Sequence, residues 1–227
     1  MYVKSPWLRR TLSVLIPAVL IPATVLVGAL VFDARAHIWI SLAVAVLSLV
    51  LFVAGFEQKA IGTRRTVLVS VLVALCIAGR LIPFFKPVTA LIILGAVYLG
   101  PQAGFYTGAL AALLSNFIFG QGPWTPFQML AWGLIGLFAG LLSKPLQKSR
   151  VLLLLYGLLA GIAYSAVMDI WSVLWAGGSV TASAYLAALL AALPHTILYV
   201  LSNLLFLLIC AKPIGDKLSR IKIKYGI

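Results

Sequence analysis

Amide and aromatic side chains are concentrated in the run SNFIFGQGPWTPFQMLAW, which begins at residue 115. Asn116, Gln121 and Gln128 bring amide donors and acceptors, and Trp124 and Trp132 bring flat apolar faces. This mixture is typical of a site for a neutral or zwitterionic organic ligand that contains a ring system. The alternative is an interfacial aromatic belt with turn residues, although three amides and two prolines exceed what a belt requires.

Further polar side chains are predicted to reach the same outer half of the protein. Asp169 lies deep in an apolar segment and is followed by Trp171 and Trp175. His195 and Tyr199 are four positions apart, so they share one face of a helix. Polar groups in hydrocarbon usually point into a bundle or a cavity. We therefore expect Asp169, His195 and Tyr199 to contact the ligand; bonding to one another or to the backbone is the alternative.

A stripe of small residues runs along the first segment that follows the basic pair Arg64 and Arg65. Ser70, Ala74 and Ala78 are spaced four apart and therefore lie on one helix face. Small residues let helix backbones approach closely in lipid. The stripe indicates either packing within the chain or a docking face for a partner helix.

The sequence gives little support for catalysis, for a metal or for a cofactor. Of the acids Asp33, Glu57, Asp169 and Asp216, only Asp169 lies deep in an apolar segment, so no two-carboxylate dyad is expected. Neither a histidine cluster that suits a metal nor a phosphate-binding glycine loop is present. Proton-driven carriers usually contain several intramembrane ionisable groups. A membrane enzyme that uses Asp169 or His195, or a self-sufficient secondary carrier, therefore remains a weaker hypothesis.

The composition determines which elements must position these residues. The 227 residues are 63% hydrophobic and 9% charged, with a mean hydropathy of +1.15, whereas soluble domains carry about 25% charged residues. A spanning helix needs about 20 mostly apolar residues. We predict an all-α, polytopic integral membrane bundle. Its eight apolar segments are predicted at residues 11–32, 38–55, 66–83, 88–99, 103–120, 127–143, 151–175 and 185–211.

The basic residues indicate topology and not nucleic-acid binding. The chain has 17 Lys and Arg residues against 4 Asp and Glu, and they lie between the apolar segments. If the N-terminus is inside, most of them fall on the inner side, which places both termini in the cytoplasm. We expect a multi-pass protein of the cell membrane. The basic stretch at residues 212–224 is expected to rest on anionic lipid.

From about residue 66 to 211 the chain resembles the S component, the membrane-embedded substrate-binding subunit, of energy-coupling factor (ECF) transporters. These are vitamin importers of bacteria and archaea. The most specific match is G-x-x-x-G-x-x-x-G from Gly100, which runs into SNFxFGQGPWTP; the Arg-Arg and Ala-Gly-Arg pattern at residues 64–80 also matches. The resemblance implies a six-helix core at residues 57–227 with extra membrane segments at 1–56. It also implies a ligand near the extracellular side, capped by the loops at 80–86, 120–127 and 176–184.

The resemblance also implies partners and a substrate. Ala74 and Ala78 match the alanine motif that docks S components onto a transmembrane coupling subunit, and Ser70 extends it. Two ATP-binding cassette ATPases would then use ATP, and this chain would carry no cofactor. The GQGPWTP subgroup resembles S components associated with cobalamin in lactobacilli, so cobalamin is the predicted substrate. A queuosine precursor is the alternative within the family.

Overall fold

The computed structural model describes residues 19, 63–122, 124–177 and 181–225. The two N-terminal segments predicted at 11–32 and 38–55 lie outside the described residues. Within these ranges the chain forms seven helices and no strand. They are α1 (Thr63–Gly79), α2 (Val88–Leu99), α3 (Pro101–Phe119), α4 (Thr125–Leu141), α5 (Ser143–Lys148), α6 (Arg150–Gly177) and α7 (Ala182–Tyr225).

The all-α prediction is confirmed for this part of the chain. All helices except the short α5 begin within a few residues of the predicted segments. Two of them, α6 and α7, are long and apolar enough to cross a membrane, and α2 and α4 are shorter apolar helices. The number of membrane crossings stays a prediction.

Helix α7 extends beyond the predicted membrane segment, which ends at residue 211, and continues to Tyr225. Pro213 lies inside this helix and does not end it. The following turns are held by packing: Gly215 is buried against Tyr98 of α2, and Leu218 is buried as well. The basic stretch at residues 212–224 is therefore the last part of a 44-residue helix.

Glycine and proline set the boundaries of α3 and α4. Gly100 and Gly120 flank α3 with φ values of 96° and 102°, a region that glycine adopts without steric cost. Pro101 begins α3, and Pro126 lies in the first turn of α4, where a missing N–H costs no helical hydrogen bond. The predicted break between the two helices is thus confirmed.

Helices α3 and α4 pack backbone against backbone. A Cβ atom at Gly104 would lie 2.7 Å from the carbonyl carbon of Gly136, and one at Gly108 would lie 2.8 Å from the nitrogen of Gly133. Both distances are far shorter than ordinary contacts. The small-residue stripe of α3 therefore serves close packing within the chain.

Polar contacts join α6 to α7. The hydroxyls of Ser165 and Thr196 lie 2.5 Å apart, and the Tyr185 hydroxyl donates to the carbonyl oxygen of Ala166 at 3.0 Å. Further along, the Asn203 amide donates to the carbonyl oxygen of Gly157 at 3.0 Å. These contacts fix which faces of α6 and α7 turn towards each other.

Candidate ligand-binding site

Arg80 lies directly after α1, at the end of the bundle where α3 also ends. Its Nη1 donates to the Ser115 hydroxyl at 2.5 Å and to the Asn116 side-chain oxygen at 2.7 Å. The guanidinium carbon lies 4.7 Å from the centre of the Phe119 ring and 5.5 Å from that of Trp132. Both distances are within cation–π range. Arg80 therefore links α1 to α3 and α4 through charge, hydrogen bonds and ring contacts.

A buried chain of amides continues from this point. The Asn116 Nδ2 donates to the Thr125 hydroxyl at 2.8 Å and to the Gln128 Oε1 at 2.9 Å. The Gln128 Nε2 donates in turn to the Tyr164 hydroxyl at 2.8 Å. The network joins α3, α4 and α6, and such connected buried networks hold side chains in one arrangement. Asn116 and Gln128, both predicted for the site, are thus brought together.

Three stacked rings lie next to the amide network. Trp132 and Tyr164 stack with ring centres 5.2 Å apart, and Tyr164 and Tyr199 stack at 4.6 Å with only 9° between their planes. His195 lies beside Tyr199 at 5.5 Å. The Nε1 of Trp132 is buried without a hydrogen-bond partner in the described part of the chain. We call Trp132, Tyr164 and Tyr199 the ring stack.

The loop between α3 and α4 folds back over α6. Trp124 contacts Trp171 with ring centres 6.5 Å apart, and Trp171 contacts Phe127 at 5.9 Å. Gln121 is exposed; its Nε2 donates to the Leu113 carbonyl oxygen, and its Oε1 accepts from Thr125, both at 2.9 Å. Trp124 and Gln121 therefore shape this loop and border the network.

The predicted residues Asp169 and His195 occupy different environments. Asp169 is 7% exposed, and its Oδ2 has no hydrogen-bond partner among the described groups. His195 is exposed on α7, and its ring contacts Tyr199. A buried carboxylate oxygen without a donor is costly, so Asp169 is suited to accept a hydrogen bond from a bound molecule.

Two residues of this arrangement, Arg80 and Tyr164, were missed as site residues by the sequence reasoning. Arg80 begins the loop at 80–86 that the resemblance predicted to cap the ligand, but it was not singled out as a contact residue. Tyr164 lies in a largely apolar segment; its spacing of seven from Trp171, two helical turns, was the available signal. Both became recognisable only through their contacts with Asn116 and Gln128.

Positive charge accumulates around the loop that follows α1. Lys86 lies on this loop, and its backbone oxygen accepts from the Ser202 hydroxyl at 2.8 Å. Burial, together with the nearby charge of Arg80, lowers the pKa of Lys86. Among the described residues no group of three His, Cys, Asp or Glu side chains is placed to hold a metal ion. The local charge favours hydrogen-bond acceptors in a bound molecule.

The small-residue stripe of α1 faces outward. Ser70, Ala74 and Ala78 are all exposed. The opposite face of α1 is buried in the bundle, with Leu72 and Cys76 among its core residues. Helix α1 therefore contributes one face to the core and presents the small residues on the other.

The described residues form an all-helical bundle with two helices apolar enough to cross a membrane, and amide and aromatic side chains meet at one end of it. The model of a family described as ECF-type riboflavin transporter, S component, matches residues 59–220, which is more than two thirds of the chain. No curated protein and no solved structure matches the chain. The chain belongs to the family of ECF-type riboflavin transporter S components. The resemblance to S components is thereby confirmed, and the family is one of transporter subunits, not of enzymes.

Proposed function

We propose that this chain is the substrate-binding subunit of an ECF transporter that captures a ring-bearing vitamin at the extracellular side of the cell membrane. The observation that carries the proposal is the amide network of Asn116 and Gln128 beside the ring stack. Amides select a ligand by its hydrogen-bonding edge, and aromatic faces hold a flat ring. Asp169, His195, Gln121 and Trp124 border this region and complete the proposed site.

Cobalamin is the vitamin that the loop sequence favours, because it is bulky and rich in amide groups, which suit the amide and tryptophan side chains of this block. Riboflavin is the vitamin in the description of the matching family, and its flat ring suits the stack. A queuosine precursor is a smaller alternative. The three compounds share a conjugated or base-like ring and carbonyl oxygens, so the same arrangement of side chains serves each.

The proposed partners are a transmembrane coupling subunit and two ATP-binding cassette ATPases, which use ATP. The coupling subunit would dock on the exposed stripe of Ser70, Ala74 and Ala78. Both chain termini would lie in the cytoplasm, since the basic residues concentrate there. The contact of Arg64 with the Tyr225 carbonyl oxygen at 2.6 Å brings the basic start of α1 and the basic end of α7 to the same side, as this orientation requires. This chain itself would hold no cofactor.

A stand-alone secondary carrier is the second candidate, and the buried carboxylate of Asp169 is the observation that favours it. Such a carrier would bind a proton or a cation on that group. The two hypotheses differ in their energy source. Uptake by an ECF transporter needs ATP and the partner subunits, whereas a secondary carrier works alone on an ion gradient.

The first experiment identifies the compound that co-purifies with the isolated chain, by mass and by visible absorbance. Corrinoid and flavin spectra are readily told apart, and a queuosine precursor is recognised by mass. The second experiment reconstitutes the chain in vesicles with and without the coupling subunit and ATPases. ATP-dependent uptake that requires the partners supports the proposal. Gradient-driven uptake by this chain alone would refute it.

A further inference from the structure

Arg80 carries an inference about the kind of ligand that the site selects. We infer that the Arg80 guanidinium binds an acceptor oxygen on the ligand, so that the site selects ring compounds with a carbonyl or phosphate oxygen next to the ring. The inference rests on the proposed function, since it concerns the same site. It adds a specificity-determining residue and a chemical requirement that cobalamin and riboflavin both satisfy.

The hydrogen bonds of Arg80 leave part of the guanidinium available. An arginine side chain has five N–H donors. Both side-chain hydrogen bonds that Arg80 makes within the described ranges come from Nη1, to Ser115 and Asn116. The Nε and Nη2 atoms are not among the fully buried groups without a partner, so they stay accessible. These donors form the fork that recognises a planar or anionic acceptor with two parallel bonds.

The charge of Arg80 has no carboxylate next to it in the described part of the chain. Its two hydrogen-bond partners, Ser115 and Asn116, are neutral. The acid that lies buried at this end, Asp169, makes no ion pair with it, and the side chain of Arg80 is half-buried. A partly buried cation with only neutral partners gains more from a ligand oxygen than an exposed one would, because less water competes for it.

The ring contacts of Arg80 place this oxygen beside the ring of the ligand. The guanidinium lies over Phe119 and Trp132, and Trp132 is the first member of the ring stack. These contacts and the two hydrogen bonds hold the guanidinium at the Trp132 end of the stack. A ligand ring that packs near the stack would therefore present its edge to Arg80. An oxygen on this edge is the group that the guanidinium can bind.

The unmodified chain is first titrated with cyanocobalamin and with riboflavin. The vitamin that it binds is then titrated into four variants. Arg80→Gln removes the charge and the fork, and Arg80→Lys keeps the charge but loses the fork. We expect both to weaken binding by about 10- to 100-fold, the loss typical of a hydrogen bond to a charged group. Lys144→Gln removes an exposed charge on α5, away from the site, as a control and should change affinity by less than about threefold.

Ser115→Ala separates ligand binding from a purely structural role. It deletes one neutral partner of Arg80 and leaves the guanidinium in place, so affinity should fall by less than about threefold. A loss as large as that of Arg80→Gln would mean that Arg80 only holds α3, and would overturn the inference. Unchanged affinity in both Arg80 variants would overturn it too. If the unmodified chain binds neither vitamin, the choice of cobalamin or riboflavin is refuted independently of Arg80, and the same four variants are titrated with the compound that co-purifies with the chain. Thermal unfolding of every variant confirms that it is folded, and Arg80→Lys keeps the test available if Arg80→Gln does not fold.

Discussion

The close contact of α3 and α4 at Gly108 predicts how much a Gly108→Ala substitution would destabilise the protein. A Cβ atom in Gly108→Ala would lie 2.8 Å from the nitrogen of Gly133 and closer still to the carbonyl oxygen of Trp132. Unstrained contacts of this kind are about 3.3 Å or longer. The two helices must therefore separate by at least about 0.5 Å. Overpacking of this kind costs about 1–3 kcal/mol in the free energy of unfolding.

The displacement should affect ligand binding as well as stability. Trp132 moves with α4, whereas Tyr164 stays on α6, so the first contact of the ring stack changes. We expect the apparent melting temperature in detergent to fall by about 2–12 °C. We expect affinity for the vitamin to fall about tenfold, which corresponds to 1.4 kcal/mol. Thermal unfolding followed by tryptophan fluorescence and ligand titration measure the two effects.

Gly157→Ala is the matched control for this prediction. Its Cβ would meet mainly the end of the Leu207 side chain, which can rotate away, and not a backbone atom. It should lower the melting temperature less than Gly108→Ala and leave affinity unchanged. The reasoning is refuted if Gly108→Ala alters neither quantity, or if both alanines have the same effect.

Three further predictions concern the loop, the docking face and the network. Trp124→Ala and Gln128→Ala should each weaken vitamin binding in titrations while the protein still folds. Gln128→Ala should also lower the free energy of unfolding by about 1–3 kcal/mol, because it removes two buried hydrogen bonds. Unchanged affinity in both variants would remove the loop from the site. Ala74→Trp should block assembly but spare ligand binding, and normal co-purification with the coupling subunit would contradict the docking face. Tyr164→Phe keeps the ring stack but leaves the Gln128 amide without its acceptor. The free energy of unfolding, followed by thermal unfolding, should therefore fall by about 1 kcal/mol. An unchanged melting temperature would show that this hydrogen bond contributes nothing to stability.

The amino-acid sequence by itself determined the class of the protein and most helix boundaries. Continuous apolar runs and scarce charge favour membrane helices because a chain in lipid must satisfy its backbone hydrogen bonds internally. Gly120 and Pro126 mark the break between α3 and α4 because their backbone preferences are local. The block around Asn116 and Gln128 was likewise recognisable from residue types alone. The end of α7 was not, because packing around Gly215 carries the helix past Pro213.

Only the tertiary structure decided which side chains lie together in the site. His195, Tyr199 and Asn203 share a spacing of four, yet Tyr199 joins the ring stack while Asn203 bonds to the backbone of α6. Arg80 bonds to Asn116, and Gln128 bonds to Tyr164; the residues of each pair are 36 positions apart in the sequence. Such contacts depend on how helices rotate and pack against one another. Local residue preferences do not contain that information, because helix packing is set by the shapes of both partners.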